Sequence, residues 1–557
     1  MKKTTRDGSS QRPRISLCMI VRDEEEALDR CLAAASPFVD EIVVVDTGSH
    51  DRSREIARLR GAKVLESPWT DDFAAARNVS LEAATGDWIV VLDADETISP
   101  ETGRALRDAA GRADVFGCFL PLVNIYDDRG LSLTALILRA WRNRPEIRFR
   151  NRIHEQVLHA VTPAARAAGA RLVSLPGAVR HDGYRPSVVA SRKKNERNLR
   201  IFELAVAEAP DDLYLRFKFA EFLRRFPERA ADRVLLLDRG IDDVRRLGRK
   251  TADDLPFAAE FFALRAEEHR SNRGSATALA LAEEGERAAA PTPNLAFAKA
   301  CANLDLGRPV PAESAFRVCL GFDGRPLMIP GRPGVTGVRA RRGLADALRL
   351  QGRHAEAQAE LEIVLADASG TAEPAVFDAW LDSVLRGKNA KTGLGFLTAR
   401  LGKRADDAAA WTAGGRLLEA CGMVADAAKW RLRAAELRKN TDSDAERALR
   451  EADFGAAAEA LLRAGDLQGA CDAALSARGD PRADAVLTAV CAVAGEPAPE
   501  FIDAAATGLR AAFRRLLETL AACRSEGPVV LARLSAARLS AATFDPTAAA
   551  LLAEAAL

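Results

Sequence analysis

Between Ile15 and about Asp128, short apolar runs alternate with amphipathic stretches. The runs Ile15–Val21, Glu41–Val45, Lys63–Leu65 and Trp88–Leu92 are short and rich in Val, Ile and Leu, the pattern of strands buried on both faces. Between them the polar positions have helical spacing. Asp23-Glu24-Glu25-Glu26 opens a helix running to Ala35, its acids placed for the helix dipole. A second helix spans Asp51 to Leu59. A third is capped by Asp71-Asp72, runs to Ala84 and stops at Gly86. Strands alternating with helices predict a mainly parallel sheet covered on both faces.

From Phe116 to Val179 the pattern changes to extended segments at 116–123, 135–142, 148–149 and 171–173, separated by turn residues such as Asp127-Asp128-Arg129-Gly130. This predicts an antiparallel extension of the sheet. From about Ser191 onward the chain is helical and rich in Ala, Leu and Arg. A helix pair over 191–226 breaks at Pro210, with Leu213, Phe217, Ala220 and Leu223 on one face of its second member. Beyond it a pattern recurs. Ala345 and Ala357 flank Gly352, and Gly415 and Ala427 flank Gly422, at the same offsets of seven before and five after. Ala300, Gly307 and Ala312 repeat this, as do Ala458, Gly465 and Ala470. Small residues at these positions let the two helices of a hairpin approach closely. The glycines are 45, 70 and 43 residues apart, so the array is tetratricopeptide-like without a strict period.

A length of 557 residues predicts more than one domain. The pattern divides them into a polar tail over 1–14, an α/β domain over 15–188 and a helical domain over 189–557. A net charge of +1 argues against nucleic acid or an anionic membrane as a general partner. Nine scattered cysteines without a CxxC pair suggest reduced thiols. Neither a signal-peptide core nor an apolar run of membrane length is present, and the expectation is a cytoplasmic protein.

Chemistry concentrates where the strands end. Trp88–Leu92 runs into Asp93-Ala94-Asp95-Glu96, and Glu41–Val45 runs into Asp46 and the turn Thr47-Gly48-Ser49. Acids delivered past the carboxyl edge of a parallel sheet lie where open α/β folds bind ligands. Two carboxylates one residue apart can hold a divalent cation, and that cation can clamp a diphosphate.

Five blocks in order carry a family resemblance. They are Ser16–Glu24, Val44–Ser49, Asp72–Asn78, Gly86-Asp87-Trp88 and Leu92–Glu96. With Arg142–Pro145, Ile153–Gln156 and His181–Tyr184, they make the first 185 residues resemble family 2 glycosyltransferases, specifically the bacterial subgroup joined to tetratricopeptide repeats. The fold implied is an α/β GT-A domain (nucleotide-diphospho-sugar transferase) followed by an all-α tetratricopeptide-like solenoid. The activity implied is inverting transfer from a nucleotide-diphosphate sugar, a UDP-sugar, with Mg²⁺ or Mn²⁺ as cofactor. By this resemblance Asp46 accepts a hydrogen bond from the base, and the loop with Val21, Arg22 and Glu25 lines base and ribose. Asp93 contacts the ribose or assists the metal. Asp95 binds the metal, with His181 as a further ligand. Arg77 and Asn78 order the pocket. Glu155 is the base that takes the acceptor's proton, with His154 as alternate. His50 departs from the family's small hydroxyl residue and sets a larger side chain near the nucleotide.

Plainer roles stand beside these. Asp46 can cap its own turn, Arg22 and Glu25 can pair with each other, and Arg77 and Asn78 can be helix surface. Glu155 can pair with Arg150 or Arg152, and His181 can be a satisfied histidine. Trp69 and Trp141 read as packing residues, and Arg192-Lys193-Lys194 with Arg197 as a solvated helix face. His159, His269 and His354 have no ligand spacing. The helical array, by analogy with peptide-binding solenoids, suggests a protein or peptide acceptor. A catalytically inactive transferase-like scaffold is the alternative function. The turn Arg22-Asp23-Glu24-Glu25 lacks the glycines of a nucleotidyltransferase loop, a dinucleotide-binding turn or a P-loop.

Overall fold

The computed structural model describes residues 12–125, 132–181, 192–325, 327–366, 374–438, 443–477, 480–494, 507–522 and 529–534. The chain forms two compact units, 1–347 and 348–557, and the division falls within the helix Val338–Leu350.

The first unit is built on a nine-stranded sheet. Ile15–Val21 (β1) is flanked in parallel by Glu41–Asp46 (β2) and Trp88–Val91 (β4), and Lys63–Glu66 (β3) extends β2. Register sets Val21 beside Asp46 and Cys18 beside Val91. Val115–Ile125 (β6) and Ser132–Arg142 (β7) form the expected antiparallel pair, with β7 also antiparallel to β4. Arg171–Ser174 (β8) and Val179–His181 (β9), however, run parallel to β6, because the helix Leu158–Ala167 carries the chain back across the sheet first. Glu96–Ile98 (β5) pairs with β9. Residues 148–149 are not a strand. They enter a closed loop in which Arg150 and Gln156 exchange backbone hydrogen bonds.

Both faces of the sheet are covered. Glu25–Ala35 (α1) and Pro100–Ala110 (α4) pack Leu28, Leu32 and Leu106 with β1 residues Leu17 and Met19. Ser53–Leu59 (α2) packs on α1 through Ala57. Phe73–Ala83 (α3) and Leu158–Ala167 (α5) pack Leu81, Val161 and Ala165 with Ile89, Val91 and Trp141 on the opposite face. Asp72 caps α3 by accepting from the Ala75 amide at 2.8 Å.

The helices Arg192–Glu208 (α6), Leu213–Phe222 (α7), Ala230–Ala252 (α8) and Ala258–Ser271 (α9) share a second core built on Phe202, Phe217, Phe261 and Phe262. This core takes in Ile153 from the 150–156 loop and packs against Trp69 and Phe73. The main chain at Leu327, beyond these helices, pairs with β7 through the Leu136 amide at 2.8 Å. The helical segments up to Ala347 therefore fold as one body with the sheet.

The second unit is helical from His354–Ala366 to Thr507–Ala522. The recurring glycines have a common physical cause. Gly307, Gly352, Gly422 and Gly465 all have φ between +67° and +82°. In each case the next amide bonds back to a carbonyl five residues earlier, as in Arg353 to Leu348 and Met423 to Leu418. Each glycine thus ends the first helix of a hairpin in the left-handed conformation that a side chain would strain. The flanking alanines 345, 357 and 427 are fully or almost fully buried, as close approach requires. No described helix is long and apolar enough to cross a membrane.

Candidate active site

A cavity of about 1990 Å³ opens at the carboxyl edge of β1 and β4 and is walled on its far side by α6, α7 and the chain near Phe257 and Pro330. It is larger than the roughly 300–1,000 Å³ that a single small ligand occupies.

Arg77, on α3, lies at the centre. Its side chain is 8% exposed and donates from Nη2 to Asp93 Oδ1 at 2.6 Å and from Nε to Glu155 Oε1 at 2.5 Å. Nη1 is buried without a partner. The other Asp93 oxygen accepts from Arg139 at 3.2 Å, and Arg139 also bonds Glu96. Burial opposes charge on Asp93, yet the two arginines hold its carboxyl far below the usual carboxylate range. With both oxygens engaged, Asp93 is a fixed wall of the site. Glu155 pairs with Arg77, and not with Arg150 or Arg152 as spacing allowed.

The loop carrying Glu155 is held from every side. Asn78 exchanges two hydrogen bonds with the Phe149 backbone, at 3.1 and 2.8 Å, and does not itself line the cavity. The Arg152 carbonyl accepts from the Phe73 amide, Asn151 bonds Asp212, and Gln156 bonds the Tyr214 hydroxyl. Asn151 and His154 both have positive φ, 74° and 51°. Strain of this kind persists where surrounding contacts fix it. The His154 ring lies 5.4 Å from that of Phe202. His154 is exposed to the cavity; the desolvating protein around it and the like charge of Lys218 lower its imidazole pKa.

Asp95 and His181 converge. His181 Nε2 lies 3.2 Å from Asp95 Oδ2, and Nδ1 lies 2.7 Å from Asn124 Oδ1. Burial alone would lower the His181 pKa, but the Asp95 carboxylate raises it. Both ring nitrogens face oxygen acceptors, so the imidazolium that Asp95 favours donates from Nδ1 to Asn124 and from Nε2 to Asp95; a cation bound at Nε2 would take the place of that proton while Asn124 still orients the ring. Among the described residues no cluster of three or more metal-binding side chains exists. The donor set therefore suits a hard cation that keeps one or two protein ligands and takes phosphate oxygens for the rest. Glu24 faces the same end of the cavity, and burial with the neighbouring Asp95 pushes it up to about 7.

The turns after β1 and β2 are laced together. Ser49 and Ser53 hydroxyls and the Asp51 carboxylate accept the amides of Asp23, Glu24 and Glu25, while Asp23 and Glu25 accept those of His50 and Arg52. Val21 and Arg22 line the cavity. Glu25 is turned onto Arg52 and lies outside the lining, and Arg22 is 3.9 Å from Asp23, so the two do not pair with each other. Asp46 caps its own turn, Oδ1 accepting from Gly48 and Ser49, while Oδ2 is buried without a partner. His50 is 82% exposed and stays out of the lining, contrary to the expectation of a large side chain near the nucleotide.

Arg139, Asn124, Glu24 and Tyr214 were not singled out for the site from sequence. Arg139 had a signal, as an arginine inside the apolar run Leu136–Trp141.

Residues 16–167 match the model of the family described as Glycosyl transferase family 2. This stretch is a family 2 glycosyltransferase domain. A TPR repeat-containing protein of Synechococcus elongatus is 40% identical over 211 residues, which are 38% of this chain and 52% of that protein. The SPbeta prophage-derived glycosyltransferase SunS of Bacillus subtilis is 27% identical over 222 residues, 38% of this chain and 50% of its own. The chain thus spans about half the length of these curated relatives. A solved structure of glucosyl-3-phosphoglycerate synthase from Mycobacterium tuberculosis, in complex with Mn²⁺, uridine-diphosphate and glucosyl-3-phosphoglycerate, is 20% identical. It covers 34% of this chain and 78% of that one, with a TM-score of 0.25. The glycosyltransferase domain has the GT-A architecture, and the tetratricopeptide-like hairpins follow it in the same chain.

Proposed function

We propose that this chain is an inverting glycosyltransferase that moves a sugar from a nucleoside-diphosphate sugar, a UDP-sugar, to an acceptor hydroxyl. The observation carrying this reading is the Arg77 bridge, which joins Asp93 at the sheet edge to Glu155 within one cavity. The volume supports simultaneous occupancy by donor and acceptor.

In the reaction the acceptor oxygen attacks the anomeric carbon and its proton passes to Glu155. The bond from that carbon to the diphosphate oxygen breaks, and its electron pair stays on the phosphate. Arg77 fixes one Glu155 oxygen, and the other, which makes no hydrogen bond among the described residues, receives the proton. Asp95 and His181 would hold Mg²⁺ or Mn²⁺, which supplies positive charge against the departing diphosphate. Val21 and Arg22 line the base and ribose, while Asp46, buried and outside the cavity lining, fixes the turn after β2. The wall formed by α6 and α7 supports an acceptor presented by a larger molecule, a protein or peptide.

Calorimetric titration of UDP, with and without Mn²⁺, into wild type and Asp95→Ala tests the donor half. Metal-dependent binding that Asp95→Ala abolishes is the expected result. Equal binding by both proteins would overturn the metal assignment, and no binding by either would overturn the donor class.

A further inference from the structure

The basic residues that open α6 read from sequence as a solvated helix face. In the folded protein Lys194, Arg197 and Asn198 line the cavity instead. Arg197 is held in place from behind. Its guanidinium stacks 6.0 Å from the Trp69 ring centroid and 5.6 Å from that of Phe73, and its Nε and Nη2 donate to Asn198 Oδ1 at 3.2 and 2.9 Å. Among the described residues no carboxylate lies within ion-pair distance of it, whereas Arg200, one turn along the same helix, is paired with Asp71. Arg22, on the turn after β1, lines the same cavity. Burial and the like charge of Arg22 both lower the Arg197 pKa. Two arginines lining one cavity, Arg197 half-buried with the Asn198 amide as its hydrogen-bond partner and Arg22 3.9 Å from Asp23, form an arrangement that an anion stabilises. Lys194 lies three residues earlier on the same helix face and near enough to Glu24 to favour its charged form.

We propose that Arg197, with Lys194 beside it and Arg22 in the same lining, contacts the diphosphate of the donor and stabilises it as the leaving group. This rests on the reading of the donor as a nucleoside-diphosphate sugar. The charge balance favours it. When the sugar–oxygen bond breaks, its electron pair adds a negative charge to the terminal phosphate. Asp93 is already matched by Arg77 and Arg139, so neither of those arginines is spare. One divalent cation leaves part of the diphosphate charge uncompensated, and a planar guanidinium meets phosphate oxygens in pairs. The helical region thereby supplies part of the donor site itself.

The test is calorimetry on the full chain with Mn²⁺ present, using inorganic pyrophosphate and UDP as probes and uridine as the phosphate-free control. Arg197→Ala is expected to weaken pyrophosphate and UDP at least tenfold and leave uridine unchanged, with Arg197→Lys recovering part of the loss. Pyrophosphate affinity within twofold of wild type in Arg197→Ala would overturn the proposal. So would an equal loss for uridine, which would mean that Arg197 only packs Trp69 and Phe73. Arg197→Lys keeps the charge and the stem, so it reports even if the alanine variant fails to fold. Wild type binding pyrophosphate but not UDP would sink the UDP reading, while the variants still decide the role of Arg197. Binding of neither probe by wild type would overturn both.

Discussion

Arg77 donates to Asp93 through Nη2 and to Glu155 through Nε, so a single guanidinium fixes the distance between the sheet edge and the 150–156 loop. The two acids are 62 residues apart in sequence, and their neighbours Leu92 and Ile153 belong to different cores. Arg139 holds Asp93 from the other side, so the Asp93 carboxylate stays still while Glu155 keeps one oxygen unengaged among the described residues. Rigid first, reactive second is the logic of a preorganised site.

Replacing Arg77 by Met retains much of its bulk and leaves two enclosed carboxylates short of a cation. The expected cost is on the order of 3 kcal/mol in unfolding free energy, with turnover reduced more than about 100-fold. Arg77→Lys should recover part of the stability and little turnover, since one ammonium cannot serve both acids in the same geometry. Urea denaturation and initial rates check both statements. Wild-type rates in Arg77→Met would show that the bridge has no part in the reaction.

Glu155→Gln separates proton transfer from architecture. The amide oxygen can still accept from Arg77, so the loop should hold its shape, while proton acceptance is lost. Turnover should fall by about 10²–10⁴-fold with UDP affinity unchanged. A parallel loss of UDP affinity would assign Glu155 to structure instead.

What the sequence disclosed follows from how far each physical signal reaches. Runs such as Trp88–Leu92 declare a buried strand locally, and an acid just past the run falls at the sheet edge whatever else happens. The repeating glycines likewise report a local need for a left-handed residue after a helix. The bond from Arg77 to Glu155 spans 78 residues, and no periodicity encodes it. Local pattern left Asn78 between ordering the pocket and lying on the helix surface, because its partner, the Phe149 backbone, lies 71 residues away. The antiparallel reading of the 171–173 segment, β8, failed for a related reason. Alternation reports which side of a strand is buried but not which way the chain returns, and α5 sets that direction. Arg197 misled because a basic helix start has the same composition on a cavity wall as in solvent.

Ile153 is 5% exposed and shares a core with Ile201, Phe202 and Leu215, which also covers Trp69 and Phe73. A chain ending at residue 188 would leave this apolar surface bare and the Glu155 loop without Asp212 and Tyr214. It is expected to aggregate or to bind no UDP. A chain ending at residue 352, past the first compact unit, should bind UDP as the full chain does. Gel filtration followed by calorimetry compares them. Full donor affinity in the shorter chain would mean that the helices are dispensable for the donor site.

Asp40 anchors the start of β1 and gives the fold a defined acid dependence. Its carboxylate accepts from the Ile15 amide at 2.8 Å, from Arg107 at 2.6 Å and from Arg12 at 3.2 Å. Burial opposes the charge, but Arg107 and the Ile15 amide outweigh it and hold the pKa at about 2. An unfolded chain titrates the same group near pH ~3.9. Because the folded value is the lower one, the unfolded state binds the proton first. The stabilisation is complete above the unfolded pKa and is lost as pH falls toward the folded one. The full shift would be worth about 2 kcal/mol, but Asp40 lies at the surface, and solvent screening leaves about 1 kcal/mol of it. Asp40→Asn should therefore be less stable than wild type at pH 7 and converge on it between pH 4 and pH 2. Urea midpoints for the two proteins at pH 7, 4, 3 and 2.5 measure this. A gap that stays constant down to pH 2.5 would show that Asp40 contributes through shape and neutral hydrogen bonds alone.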